Sequence, residues 1–305
     1  MSFKERTEIK IDYRIVASWY CSVMVTNHFI RFAPLIIITA NLFFVGSFSL
    51  AKLLTLQTTV PVIMMFRFLA GVVYLSPYIV LKKHAIQIKS WPMLCFRVIC
   101  GVSAMTSLFF AFKYGDIGKG TLIFELSIIW TLIVEMVLFR KRPHQFSLFA
   151  IPIVFFGVIL VVNPINILSF SIGDIFAFMG SIFNAGVYIS LKKLREDHDT
   201  VTVVFWTYLL SFFIICIPAL YSMTQLTNLT ILQLIIMCTI GFGGQMFMVL
   251  GFKYASAGIS SLFMISIIPL TTLSGVLFFN EQYTAQMIAG IILVFGALSV
   301  ISKFR

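Results

Sequence analysis

Four charged residues, Arg67, Glu125, Arg97 and Glu135, stand inside long apolar stretches. A charge held in hydrocarbon costs about 2.5–3.5 kcal/mol even on the mildest scales, so each must be paired, hydrated or put to use. At 1.5 Å per helical residue, Arg67 and Glu125 lie roughly 10 and 12 Å from one membrane face, and Arg97 and Glu135 roughly 8 Å from the other. The matched depths predict two intramembrane charge pairs, Arg67 with Glu125 and Arg97 with Glu135, because a buried charge left alone is costly. For Arg97 and Glu135 the competing reading is snorkelling to the interface. For Arg67 and Glu125 it is a purely structural pair. Glu125 is the stronger functional candidate, since a buried carboxylate can accept a proton or hold a cationic group.

A second set of residues could orient a small solute within an apolar cavity. These are Asn41, Ser47, Asn184, Tyr188, Gln245, Ser266 and Thr271. Interhelical hydrogen bonding is the alternative role for every one of them. Gly241, Gly243 and Gly244 allow close helix contact or local unwinding. Pro269 lacks a backbone N–H and is a candidate hinge, or a static kink. Arg195-Glu196-Asp197-His198-Asp199 carries metal-type ligands but reads better as a solvated loop. No metal site, cofactor or catalytic residue is expected. No HExxH, GxSxG or phosphate-binding loop occurs, and all four histidines fall in loops or near span ends. The sequence therefore does not read as an enzyme. The five cysteines form no CxxC and read as buried thiols.

These residues need elements that run through lipid. Of the 305 residues, 60% are hydrophobic and 11% charged, and 33 are Phe. Soluble domains carry about 25% charged residues. Apolar runs at roughly 32–53, 60–81, 92–112, 117–139, 145–163, 172–191, 201–221, 231–252, 257–279 and 284–302 predict ten transmembrane helices. Each has about 20 residues, enough for a core of about 30 Å, and barrel-type alternation is absent. The net charge of +11 sits in short clusters between the runs. That distribution speaks for membrane topology and against nucleic acid. With the N-terminus inside, 17 Lys and Arg fall on the inner side and three, Lys52, Lys113 and Lys119, on the outer. Both termini are thus predicted to be cytoplasmic. Residues 1–31 read as a cytoplasmic or interfacial segment.

The chain also repeats itself. Phe112-Lys113-Tyr114 matches Phe252-Lys253-Tyr254, each followed by a glycine turn (Gly118, Gly258) and a new apolar run. Ser127-Ile128-Ile129 then matches Ser266-Ile267-Ile268, and Val154-Phe155 matches Val294-Phe295. An offset of 140 or 139 residues relates the copies. The predicted units are 32–164 and 165–305, five helices each. Five is odd, so the halves insert with opposite orientation, the arrangement of many secondary transporters.

Phe43-Phe44-Val45-Gly46-Ser47-Phe48 with Lys52, Phe66-Arg67-Phe68-Leu69-Ala70, Gly173-Asp174 with Lys192-Lys193-Leu194, and Pro269 with Phe278-Phe279-Asn280-Glu281 resemble the drug/metabolite transporter superfamily, EamA type. Gly290 and Gly296 fit that family's last helix. The resemblance spans residues 32–303. It implies ten helices around a central cavity and transport of an amino acid, a nucleotide-derived solute such as an S-adenosylmethionine-like cation, or another small metabolite. One departure stands out: Ile128 or Ile129 occupies the place of Pro269, and Lys141 that of Glu281. The expected protein is a carrier in a bacterial inner membrane, monomeric or homodimeric, whose partners are a small-molecule substrate, the lipid bilayer and protons. A channel or a non-transporting scaffold is the alternative.

Overall fold

The computed structural model describes residues 35–82, 86–139, 171–223, 225–254 and 266–303, with Met264 and isolated positions between 149 and 160. The interfacial segment predicted over 1–31 lies outside these residues. Every regular element among them is helical. The helices are α1 (Leu35–Leu54), α2 (Val60–Lys82), α3 (Trp91–Tyr114), α4 (Ile117–Phe124), α5 (Ser127–Phe139), α6 (Ile172–Asp197), α7 (Thr200–Tyr221), α8 (Asn228–Tyr254), α9 (Ile267–Phe279) and α10 (Ala285–Lys303). Six of them, α1 to α3 and α6 to α8, are individually long and apolar enough to cross a membrane. Lipid-facing side chains such as Leu81, Phe278 and Ile292 are 65–81% exposed, as expected where the solvent is hydrocarbon.

The fourth predicted span is the informative exception. It is two helices, α4 and α5, broken at Glu125 and Leu126. The break is a tightening: Leu126 N–H bonds Ile123 O at 3.2 Å, and Ile128 N–H bonds Glu125 O at 3.2 Å, both three residues back. A 3₁₀ stretch inside a span leaves backbone groups poorly matched and needs polar or protein surroundings. In the second half, Ser266 is a turn residue that opens α9. Pro269 occupies the first turn of α9, where a missing N–H breaks no intrahelical bond. It sits at the start of α9 rather than in its interior.

Two inverted five-helix repeats account for the contacts. The repeat maps α1 onto α6, α2 onto α7, α3 onto α8, α4 with α5 onto α9, and the fifth segment onto α10. The self-related pairs α2–α7 and α4–α9 pack together, and so do α3 with α6, and α2 with α8 as α3 with α7. The image of α3–α6 is α1–α8, where Gly244 faces Phe44 and Ala40, and Gly251 faces Ile37. Gly157, in the fifth segment, faces Val294 and the Gly290 carbonyl of α10.

At the α3–α6 contact a Cβ on Gly173 would come within 2.7 Å of Ala111 O, 2.9 Å of Gly115 N and 3.1 Å of Tyr114 C. These are backbone atoms and cannot swing aside. Gly173→Ala is expected to destabilise the protein by about 1–3 kcal/mol, the usual cost of overpacking. Gly296→Ala, where no atom of another described element lies within 4 Å, is expected to cost nothing. Thermal unfolding in detergent compares the two, and equal midpoints would contradict this contact.

Candidate functional site

Arg67 sits on α2 behind α1 and α8. It is 3% exposed, and its Nη1 donates to Ser47 Oγ at 3.1 Å. Ser47 in turn donates to the Met237 carbonyl at 3.2 Å, tying α1 to α8. Gly241 is what admits the guanidinium: a side chain there would run into Arg67 Nη1 and, at 2.6 Å, Ser47 Oγ. Arg97, on α3, is 4% exposed. Its Nη1 donates to Val187 O on α6 at 3.1 Å, while its Nε is buried with no hydrogen-bond partner among the described residues. Such burial is not snorkelling. Glu125 caps α4, is 3% exposed, and its Oε2 is likewise buried with no partner among the described residues.

All three charges line one cavity, with about 810 Å³ of atom-free space, the open solvent at its mouth included. The structure does not join Arg67 to Glu125 in an ion pair: among the described residues neither has a partner of opposite charge within 4 Å. The Glu135 side chain lies outside the described residues, so the second predicted pair has no geometry to report. Depth alone could not separate a direct pair from two groups facing a shared space.

Of the polar candidates, Asn184, Tyr188 and Gln245 line this cavity. Asn184 Nδ2 donates to Ser127 Oγ at 3.0 Å, bracing α6 against the start of α5 just past the break. Tyr188 lies in hydrogen-bond reach of both Asn184 and Ser127, and within electrostatic reach of Glu125. The other candidates stand outside the lining. Asn41 donates to Ser266 Oγ at 2.8 Å and to Met264 O at 3.2 Å, which fastens α1 to the start of α9. Thr271 donates to the carbonyls of Ile267 and Ile268 in its own helix. Sequence reasoning missed Tyr208, Thr207 and Ser211 on α7, which also line the cavity. They interrupt α7's apolar run as hydroxyl groups, a signal that was present in the sequence and passed over.

A second charged assembly went unpredicted. It lies where α1, α3, α4, α6 and α9 end or begin. Lys52 pairs with Glu281 and donates to Gly115 O at 3.2 Å. Glu281 also accepts from Ile117 N–H at 2.8 Å and from the Tyr283 hydroxyl at 2.6 Å. Lys119 pairs with Asp174 at 2.8 Å. Asn280, at φ 51° in the left-handed region, turns the chain so that Glu281 folds back over α9, where only a glycine at 275 leaves room for its carboxylate. Burial pushes the Asp116 carboxyl above its ordinary range; the Glu281 carboxylate adds to this, Lys52 and Lys119 oppose it, and Asp174 adds a little. With Asp116 protonated, two lysines face two carboxylates and the assembly is neutral. Burial, and then the bond and charge of Glu281, push the Tyr283 phenol up, so it stays a donor. Between this assembly and the cavity lies an aromatic layer: Phe48 packs on Phe109 and Phe112 at centroid distances of 6.4 and 5.4 Å.

The Arg195–Asp199 loop is a helix junction. Asp199 accepts from Val201 N–H at 3.1 Å and caps α7. His198 Nε2 accepts from Lys89 N–H at 2.9 Å, and its Nδ1 is 3.0 Å from Leu194 O.

Comparison with known proteins agrees with this geometry. A model of the EamA-like transporter family matches residues 31–163 and again 171–303. The pseudopaline exporter CntI of Pseudomonas aeruginosa is similar in two strains, at 22% and 21% identity over 254 residues, covering 82% of this chain and 89% of the exporter. An uncharacterized transporter of Helicobacter pylori is 28% identical over 114 residues, covering 36% of this chain and 37% of that one. A crystal structure of another protein, 14% identical, superposes with a TM-score of 0.65 over 88% of this chain and 95% of its own, a likeness of fold alone.

Two outcomes follow for the charged assembly. Glu281→Gln is expected to destabilise the protein by about 1–3 kcal/mol, because Lys52 keeps its charge and loses its counter-ion. Asp116→Asn is expected to act in a pH-dependent way. A carboxyl raised in the folded state contributes stability below its unfolded value of about 3.9, and that contribution is lost as pH rises through the folded value. Wild type and Asp116→Asn should therefore match at the acid end, and the Asn variant should unfold at higher temperature at neutral pH. Thermal unfolding scanned against pH reads both; a gap that widened toward acid would refute the assignment.

Proposed function

The chain belongs to the EamA-like transporter family, and from that premise we propose that it is a secondary carrier moving a small organic metabolite across a bacterial inner membrane by alternating access. Its functional units are residues 32–164 and 165–305, with both termini cytoplasmic. The observation that carries the reading is the cavity: Arg67, Arg97 and Glu125, none paired with another, face one space beside a break in a membrane span. Carriers place substrate sites at such breaks between inverted halves, where irregular backbone is tolerated because it lines a cavity.

In this topology the Lys52–Glu281 assembly is the outer closure, backed by the Phe48–Phe109–Phe112 layer. The closure is one-sided. The offset of 140 that relates the repeats places Lys192 opposite Lys52 and Lys141 opposite Glu281. Two like charges cannot form the equivalent lock at the inner end. For the direction of transport, the name of the Pseudomonas relative, an exporter, favours export.

Glu125 supplies the coupling in this reading. It is a buried carboxylate with an unsatisfied oxygen, and a proton or a substrate ammonium satisfies it at lower cost than a bare charge in the membrane. The test is uptake and efflux of a labelled metabolite panel by purified protein in liposomes, with and without a pH gradient. Saturable, gradient-accelerated movement is expected for wild type. Glu125→Gln should retain saturable exchange and lose the acceleration. Normal transport with unchanged pH dependence in the variant would remove Glu125 from the coupling step.

A further inference from the structure

Hydrogen bonds join the two halves at both ends of the helix bundle, and the two joints differ in chemistry. At one end the α1–α2 junction meets the segment between α7 and α8. Thr59 Oγ1 donates to the Ser222 carbonyl at 3.1 Å, and Thr230 Oγ1 donates to Gln57 Oε1 at 3.0 Å. At the other end the α6–α7 junction meets residues 86–90, ahead of α3. The Lys89 N–H donates to His198 Nε2 at 2.9 Å, and the Trp206 indole N–H donates to the Ile86 carbonyl at 2.8 Å. Trp91 packs edge-on against Trp206, with ring centroids 5.1 Å apart. The offset of 140 relates the two joints. It carries Val60, the first residue of α2, onto Thr200, the first of α7, and Thr58 onto His198. Hydroxyls and an amide make one joint; an imidazole and an indole make the other. Of these groups only the imidazole belongs to a type that changes charge between about pH 5 and 8.

The joint accepts one form of the ring. His198 Nδ1 lies 3.0 Å from the Leu194 carbonyl, which can only accept, so Nδ1 carries the hydrogen. Nε2 is then the bare acceptor that the Lys89 N–H requires. A proton on Nε2 sets two N–H groups against each other in a buried ring, and that bond is lost. The surrounding charges do not restore it. Arg195 Nη1 donates to the His198 carbonyl at 2.8 Å, and Asp199 caps α7. Lys192, Lys193, Asp197 and the Lys89 side chain are exposed. Arg97, the first charged residue of α3, is bonded to Val187 O. Among the described residues no carboxylate pairs with the ring. We propose that this joint is a proton-released latch: neutral His198 fastens the two halves at the cytoplasmic end, and protonated His198 lets that end part, while the hydroxyl joint at the outer end does not respond. The proposal rests on the carrier reading and its topology, in which parting of one end opens the cavity to that side. It makes His198 a sensor of cytoplasmic acid, separate from a coupling proton at Glu125.

The latch is read as a distance. Spin labels are placed on Lys89→Cys and Lys193→Cys, two exposed positions, in the full-length protein with its native cysteines replaced. Pulsed electron paramagnetic resonance then compares about pH 8 with about pH 5.5. The ratio of parted to latched molecules should rise roughly tenfold in acid, the linkage expected when protonation near the ordinary imidazole value of about 6.5 is confined to the parted form. His198→Gln, neutral throughout and able both to donate and to accept, should show one distance at both pH values. His198→Lys, a donor only, should be parted at both. An unchanged wild-type distance overturns the latch, and so does an equal change in His198→Gln. Acid-sensitive thermal unfolding that His198→Gln abolishes, with the distance unchanged, marks a merely structural histidine and overturns it too. Solute exchange in liposomes separates the two readings. Acid on the His198 side should speed exchange by wild type and not by His198→Gln. Saturable transport of the metabolite panel with a silent distance overturns the latch alone. An acid-dependent distance with no transport of any solute keeps the latch and overturns the carrier reading.

Discussion

The cost of holding charge in hydrocarbon organises this molecule. Its buried ionic groups fall into two assemblies that meet that cost in opposite ways. The one at the Lys52 end is complete: each lysine has a carboxylate, Glu281 collects donors from three segments of chain, and burial keeps Asp116 toward its neutral form. The one at the cavity is incomplete, with two guanidiniums and one carboxylate that do not meet. A self-satisfied network suits a closure. An unsatisfied one suits a site whose missing partner arrives from outside the chain.

Glycine and aromatic side chains give both assemblies their positions. Gly241 opens the space that Arg67 fills, Gly243 and Gly244 let Phe43 and Phe44 approach α8, and Gly275 gives way to the Glu281 carboxylate. With little hydrophobic force between helices in lipid, close approach of backbones is the main source of association energy. The charged groups are therefore held by steric fit, and their geometry is as specific as the surrounding contacts.

The inverted repeat supplies the frame, and its two copies are not identical. Helix pairs such as α2–α7 and α4–α9 lie on the pseudo-two-fold relation and join the halves. The break at Glu125–Leu126 and the turn at Ser266 that opens α9 occupy matching places in the two copies. Symmetry fails where charge is concerned: Lys141 and Lys192 answer to Glu281 and Lys52. The two copies therefore differ at the residues of the Lys52–Glu281 pair.

Much of this was legible from residue order alone. Helical architecture and the two-fold repeat follow from composition, period and a shared offset, since lipid permits few backbone solutions and a five-helix unit must invert. The buried charges Arg67, Arg97 and Glu125 were conspicuous for the same energetic reason, and Asn184, Tyr188 and Gln245 stood out as polar exceptions in apolar runs. Partnership was not legible. Depth in the membrane is one coordinate, and it placed Arg67 level with Glu125 without saying that Ser47 and the space cleared by Gly241 would take the guanidinium instead. Lys52 and Glu281 lie 229 positions apart and meet only because α1 and α9 end side by side. Asn41 and Ser266 were legible as polar residues in apolar runs, but not as hydrogen-bond partners of each other. Which polar groups satisfy one another, and which are left facing a cavity, is set by helix rotation and packing, and those exist only in the tertiary structure.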